Sequence, residues 1–202
     1  MAKVFSSEVQ AAVVNEVVQI RGGYGFIQEY PAERFYRDER INRIFEGTNE
    51  INRLLVPGTI LRRAAKGDFP LEREAAKALE ASRSAGAEAS GASRPFAAEH
   101  AALAGSKRAF PGVTAAAARR HREALKDEQE ILLALADVAI QIFALESAVL
   151  RAEKTAASRS DARRALVEAA VRTFSFAAVE RIATAARKAA FCAAEGDELA
   201  LL

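Results

Sequence analysis

Glu46 is the residue best placed to do chemistry. It stands in Phe45-Glu46-Gly47-Thr48-Asn49-Glu50-Ile51, where a carboxylate opens a Gly-Thr turn ahead of an apolar-periodic stretch. Held in a desolvated site beside a ligand, such a carboxylate becomes a stronger base, because loss of water raises its pKa. The plain alternative is a solvated carboxylate at a helix entrance, where the helix dipole favours negative charge. Residue types alone favour that alternative, since most charged side chains are simply exposed. A second dense block, Gln19-Ile20-Arg21-Gly22-Gly23-Tyr24-Gly25-Phe26, lies upstream. Its glycines can present bare backbone amides to a phosphate. The spacing is not G-x-G-x-x-G after a strand, so the dinucleotide fingerprint fails, and a helix stop followed by a loop is the simpler reading.

The elements that must position these residues read as helices. Phe5, Val9, Val13, Val17 and Ile20 recur at spacings of three and four, which predicts a helix over 2–20 with those residues on one face. Gly22-Gly23 ends it. Pro31 suits the first turn of a second helix, 31–39. Thr48 or Asn49 can cap a third, which carries Ile51, Leu54 and Leu55; Pro57-Gly58 is expected to kink or break it before a further helix, 59–66. Residues 82–95 are small, polar and glycine-containing and read as a flexible linker, and Pro111-Gly112 reads as another break. From Thr114 a long helix is expected to about Ala157, with Ile131, Leu135, Val138, Ile142, Leu145, Val149 and Ala152 as its seam and Leu132 and Phe143 widening the stripe. Asp161 can cap a last helix, 162–194, ending at Gly196. The two form an antiparallel hairpin. The fold class is therefore all-α: a partial helical bundle over 1–66, a connector over 67–113 and a helical extension over 114–202. The hairpin is expected to fold with little help from residues 1–66.

Composition narrows the function classes. The chain has 202 residues, with 29 Lys and Arg against 27 Asp and Glu, and the charges are interleaved rather than blocked. That is not a nucleic-acid footprint. The charge run Arg37-Asp38-Glu39-Arg40 reads as pairs on a helix surface. His100 and His121 read as surface histidines, and no set of residues has metal-ligand spacing. The single cysteine, Cys192, fits a reducing, cytoplasmic compartment. No apolar run is expected to reach a membrane span of about 20 residues. Arg119, Arg120, His121, Arg122 and Lys126 cluster at the start of the long helix, and such clusters are usually solvated faces, in a minority contacts to an anionic surface such as the inner membrane.

Four ordered blocks carry a resemblance: Ala2-Lys3-Val4-Phe5-Ser6-Ser7-Glu8, Gln19 to Phe26, Tyr30-Pro31-Ala32-Glu33-Arg34-Phe35-Tyr36-Arg37-Asp38, and Ile44 to Ile51. At this order and spacing, residues 1–66 resemble the C-terminal helical domain of acyl-CoA dehydrogenases. Residues 67–202 look like the helical extension of the very-long-chain branch. The resemblance implies FAD as cofactor, an acyl-CoA as substrate, electron-transfer flavoprotein as electron acceptor and a homo-oligomer. It implies that Glu46 removes the α-proton of the acyl-CoA while its own backbone N–H polarises the thioester carbonyl, with Phe45 and Gly47 at the substrate. Phe45 stands where tyrosine is common. It implies flavin-nucleotide contacts from Thr48 and Glu50, the acidic Glu50 being closer to the very-long-chain pattern, and contacts from Gln19 and Gly23 to the FAD of a neighbouring subunit.

Family members also carry an N-terminal helical domain and a middle β-domain that holds much of the flavin. Neither matches anything in this sequence, which reads as a piece of such an enzyme, inactive alone. The competing reading is a non-catalytic helical interaction module derived from the family, working through its 114–195 hairpin.

Overall fold

Apolar residues at helical spacing recur along the chain, and the computed structural model is helical throughout the residues it describes, 1–84, 96–156 and 158–193. Eight α-helices lie among them: α1 (Ala2–Arg21), α2 (Gly23–Phe26), α3 (Pro31–Arg40), α4 (Asn49–Ala65), α5 (Leu71–Ser84), α6 (Ala97–His121), α7 (Gln129–Ala156) and α8 (Asp161–Ala193). Short 3-10 turns at Ile41–Arg43 and Arg122–Asp127 complete the order. The all-α expectation holds.

The core is built on α7. Ile131, Leu135, Val138, Ile142, Leu145, Val149 and Ala152 are all buried, as the seam predicts. Ile131 and Leu135 share a cluster with Ala189 and Ala193 of α8, while Val149 and Ala152 share one with Val171. The start of one helix therefore meets the end of the other, and the hairpin is antiparallel. Helix α6 adds Leu103, Val113, Ala116 and Ala117 to the same clusters, so the unit is three-helical. Leu132 joins the core, but Phe143 is exposed and does not widen it.

Several expectations fail for identifiable reasons. Pro57 lies inside an unbroken α4, and Pro111 inside an unbroken α6. A mid-helix proline costs about 3 kcal/mol, and burial of Val113, Ala115, Ala116 and Ala117 around Pro111 offsets it. The long helix does not start at Thr114; the chain breaks instead at Arg122, whose φ is +50°, and α7 starts at Gln129. Helix α5 occupies residues 82–84 of the expected linker; the rest of that linker, and the expected end at Gly196, lie outside the described residues. By length and composition α7 is apolar enough to cross a membrane, contrary to expectation, yet it is the central helix here, with 56% of that stretch buried.

Helix α7 also has a second buried face. Ala136 and Ile140 pack on Val4 of α1, with Phe5 and Val56 alongside. The hairpin thus packs against residues 1–66, and removing them uncovers these two side chains. Helix α1 in turn buries only Val4 and Ser7. Its apolar stripe is largely outside: Val9, Val13 and Ile20 are exposed. Gly22 stops α1 with a φ of +58°, and α2 folds back so closely that a Cβ on Gly25 would lie 2.6 Å from the Val18 carbonyl oxygen. Glycine at 25 is what permits that reversal. Glu39 departs from the surface reading of its charge run: it is 2% exposed and pairs with Arg43, Nε to Oε1 3.2 Å. The pairs Arg34–Asp38 and Arg37–Glu33 do lie on the surface of α3.

Candidate active site

The turn that carries Glu46 is held from two sides. Thr48 is the N-cap of α4, its Oγ1 accepting from the Ile51 N–H at 3.2 Å. From one turn into the helix, the Asn52 amide reaches back and donates to three successive carbonyls, Glu46 (3.3 Å), Gly47 (2.6 Å) and Thr48 (3.2 Å). From α1, Lys3 Nζ donates to the Gly47 carbonyl at 2.9 Å and to Asn49 Oδ1 at 2.8 Å. Asn49 is 2% exposed, and its Nδ2 donates to Ser7 Oγ at 2.9 Å and Glu8 Oε1 at 3.3 Å.

These bonds hold a strained backbone. Glu46 has a φ of +57° and Gly47 one of +76°. The left-handed region costs a non-glycine residue roughly 1–2 kcal/mol, and such residues persist only where neighbours over-determine them. At Gly47 an added Cβ would also lie 3.1 Å from Asn52 Nδ2. A side chain there would strain the turn and crowd the amide that holds it. The Ile44 and Phe45 N–H groups donate to the Ile41 carbonyl, at 2.9 and 3.0 Å. Among the described residues no backbone carbonyl accepts from the Glu46 N–H. The side chains of Glu46 and Phe45 are both exposed.

Glu50, in the first turn of α4, is exposed. Its carboxyl is held below the usual range, first by a bond from its own backbone N–H, with Thr48, Arg53 and Arg40 adding to the effect against partial desolvation. Thr48 and Glu50 therefore accompany Glu46 at one helix start. Gln19 and Gly23 do not. Lys3 and Gln19 lie 16 residues apart on α1, about 24 Å along the axis at ~1.5 Å per residue. Gln19 and Gly23 are exposed at that far end, with nothing within 4 Å of where a Gly23 Cβ would stand. The predicted residues thus form two separate places on the chain.

Sequence reasoning missed the polar frame behind the turn: Lys3, Ser7, Asn49, Asn52 and Arg53. One signal was available. Asn52 stands one turn into α4, where an asparagine side chain can bond the backbone groups that precede the helix. The two histidines were also misplaced. His100 Nε2 lies 2.8 Å from Glu153 Oε1 and His121 Nε2 lies 3.2 Å from the Cys192 carbonyl oxygen, so both are half-buried ties between helices. In the basic cluster, Arg119 pairs with Glu72 of α5 at 2.9 Å. Among the described residues no three His, Cys, Asp or Glu side chains gather as metal ligands.

Comparison with known proteins shows what the chain as a whole is similar to. Two family models, each described as "Acyl-CoA dehydrogenase, C-terminal domain", match residues 1–61 and 105–202. A probable acyl-CoA dehydrogenase of Bacillus subtilis is 42% identical over 200 residues, covering 99% of this chain and 34% of the relative. The human mitochondrial short-chain specific acyl-CoA dehydrogenase is 52% identical over 62 residues, 31% of this chain and 15% of that protein. The crystal structure of an acyl-CoA dehydrogenase complexed with FAD from Bacillus anthracis superposes with a TM-score of 0.89 at 42% identity, over 98% of this chain and 33% of that one. The chain spans about a third of the length of the two Bacillus proteins. It belongs, by its C-terminal-domain sequence and fold, to the acyl-CoA dehydrogenase family.

Proposed function

We propose that this chain supplies the catalytic base of an FAD-dependent acyl-CoA dehydrogenase, and that Glu46 is that base. The observation that carries the reading is the Glu46 turn: a strained, exposed carboxylate beside its own open N–H, clamped by Lys3 and Asn52. A clamped turn fixes where the carboxylate points, and fixed orientation is worth several kcal/mol of barrier. The α-proton of a thioester is weakly acidic. Hydrogen bonding from the Glu46 N–H to the thioester oxygen stabilises the negative charge that develops as the proton leaves. The carboxylate takes that proton, and Phe45 and Gly47 border the acyl group. FAD, when bound, supplies the acceptor for the hydride that leaves the β-carbon. Thr48 and Glu50 on α4 suit the flavin end of the nucleotide. Gln19 and the open backbone at Gly23 suit contacts to a second nucleotide, which in a homo-oligomer belongs to a neighbouring subunit.

A long-chain acyl group is the substrate we favour, on the acidic Glu50 and the helical block that follows residue 66. The match to the human short-chain enzyme extends over 62 residues of this chain. Electron-transfer flavoprotein as the acceptor of the electrons, and a cytoplasmic site with peripheral contact at a membrane, complete the proposal.

The test is Glu46→Gln in an enzyme assembled with flavin-holding domains. The amide is nearly isosteric and cannot accept the proton. Turnover is expected to fall by several orders of magnitude, about 4 kcal/mol or more of barrier, with FAD retained. Near-normal turnover removes Glu46 from the mechanism.

A further inference from the structure

Arg53 stands where three helices meet. Its Nη1 and Nη2 donate to Glu8 Oε1 and Oε2 of α1, at 2.6 and 2.8 Å, and its Nε donates to Asp137 Oδ1 of α7 at 2.7 Å. Its side chain is only 16% exposed, while those of Glu8 and Asp137 are 41% and 45% exposed. An arginine forked over one carboxylate and bonded to a second is fixed in direction by both. The bonds continue toward the turn. Glu8 also accepts from Asn49 Nδ2, Asn49 Oδ1 accepts from Lys3 Nζ, and the same Lys3 Nζ donates to the Gly47 carbonyl. The path therefore runs without a gap from α7 to the residue after Glu46. It ends on a backbone whose left-handed conformation relaxes when its restraints loosen.

We infer that Asp137 is a positioning residue for the Glu46 turn, acting through Arg53, Glu8, Asn49 and Lys3. Asp137 touches neither the turn nor any group assigned to substrate or flavin. It lies on α7, whose two neighbours in sequence, Ala136 and Val138, are both buried. Packing alone accounts for the apolar residues of this helix. It does not account for a carboxylate aimed at an arginine of α4. Asp137 gives the guanidinium a second anion, so that Arg53 cannot rotate away from Glu8 without leaving a charge partly desolvated and unpaired. The C-terminal helices thereby help set the direction of a carboxylate borne by the N-terminal ones.

The inference rests on the reading of Glu46 only for its consequence in catalysis; its physical content is the closure of residues 44–52. Amide hydrogen exchange followed by mass spectrometry on the 202-residue chain reads that closure directly. Asp137→Asn keeps the shape and removes the charge. Exchange across 44–52 is expected to quicken on the order of tenfold, with the α7 seam at 142–152 unchanged, and Asp137→Glu is expected to restore protection. Unchanged exchange at 44–52 overturns the inference. So does an equal rise throughout the chain, which marks general destabilisation, and so does a failure of Asp137→Glu to restore protection. Failure of the Glu46 reading shows instead as turnover in Glu46→Gln, so the two can fail separately.

Discussion

Helices α1 and α7 both carry an apolar stripe at helical spacing, and the fold treats them oppositely. Helix α7 buries its whole seam and a second face besides. Helix α1 buries Val4 and Ser7 and leaves Val9, Val13 and Ile20 in the open. Periodicity tells which residues of a helix share a side. It does not tell whether anything lies against that side. In α7 four neighbours, α1, α4, α6 and α8, claim different arcs of the cylinder, so positions off the seam are buried too. In α1 the residues that matter are those facing α4 and α7, and they include a serine and a glutamate engaged in the polar frame rather than the valine stripe.

The contrast can be broken most severely at α7. Leu135 and Ala136 are both 0% exposed, one facing α6 and α8 and the other facing α1. An aspartate at either place is a buried, unpartnered charge, costing roughly 3–5 kcal/mol. Leu135→Asp and Ala136→Asp are both expected to lower the denaturation midpoint steeply in chemical unfolding. Were Ala136→Asp tolerated, the packing of α1 on α7 would be misplaced. From the heptad-like seam alone, position 136 reads as the milder site, at the seam's edge; the second buried face removes that distinction.

A smaller effect sharpens the turn's part in the comparison. Glu46→Gly relieves a left-handed residue and is expected to raise stability by about 1 kcal/mol, whereas Glu46→Gln keeps the strain and leaves stability unchanged. Thermal melts of the two variants compare them directly. If glycine gives no gain, the positive φ is not a source of strain. The smallest effect belongs to the exposed stripe. Val13→Asp sits at 55% exposure and is expected to shift the melt of this chain by no more than about 0.5 kcal/mol. A loss of several kcal/mol would mean that α1 is covered by something.

What was legible in the sequence follows the same physics. Helix existence was legible wherever apolar spacing, a cap or a glycine stop agreed, as at α1, α3, the Thr48 cap and the Ile131-to-Ala152 seam. Breaks were not legible at Pro57 and Pro111, because a proline's local cost is set against burial that only the assembled fold supplies. The true break at Arg122 carries no glycine or proline, and its positive φ has no local sign. At the site, the motif marked Glu46, Thr48 and Glu50. The frame that holds them came from Lys3, Asn52 and Arg53, ordinary polar residues whose partners lie up to 84 positions away. Such pairings depend on topology, and residue type alone does not announce them.

The contact between Val4 and Ile140 has a consequence in time. Synthesis adds about 5–20 residues each second, so the first helix leaves the ribosome on the order of ten seconds before the surface it packs on exists. During that interval α1 carries both its exposed stripe and a Val4 not yet covered by Ala136 and Ile140. The stretch that bears the Glu46 turn is therefore made before the α7 surface that secures it. In a crowded cell its early protection falls to whatever binds nascent apolar chain, and a delay in translating α7 lengthens the exposure in direct proportion.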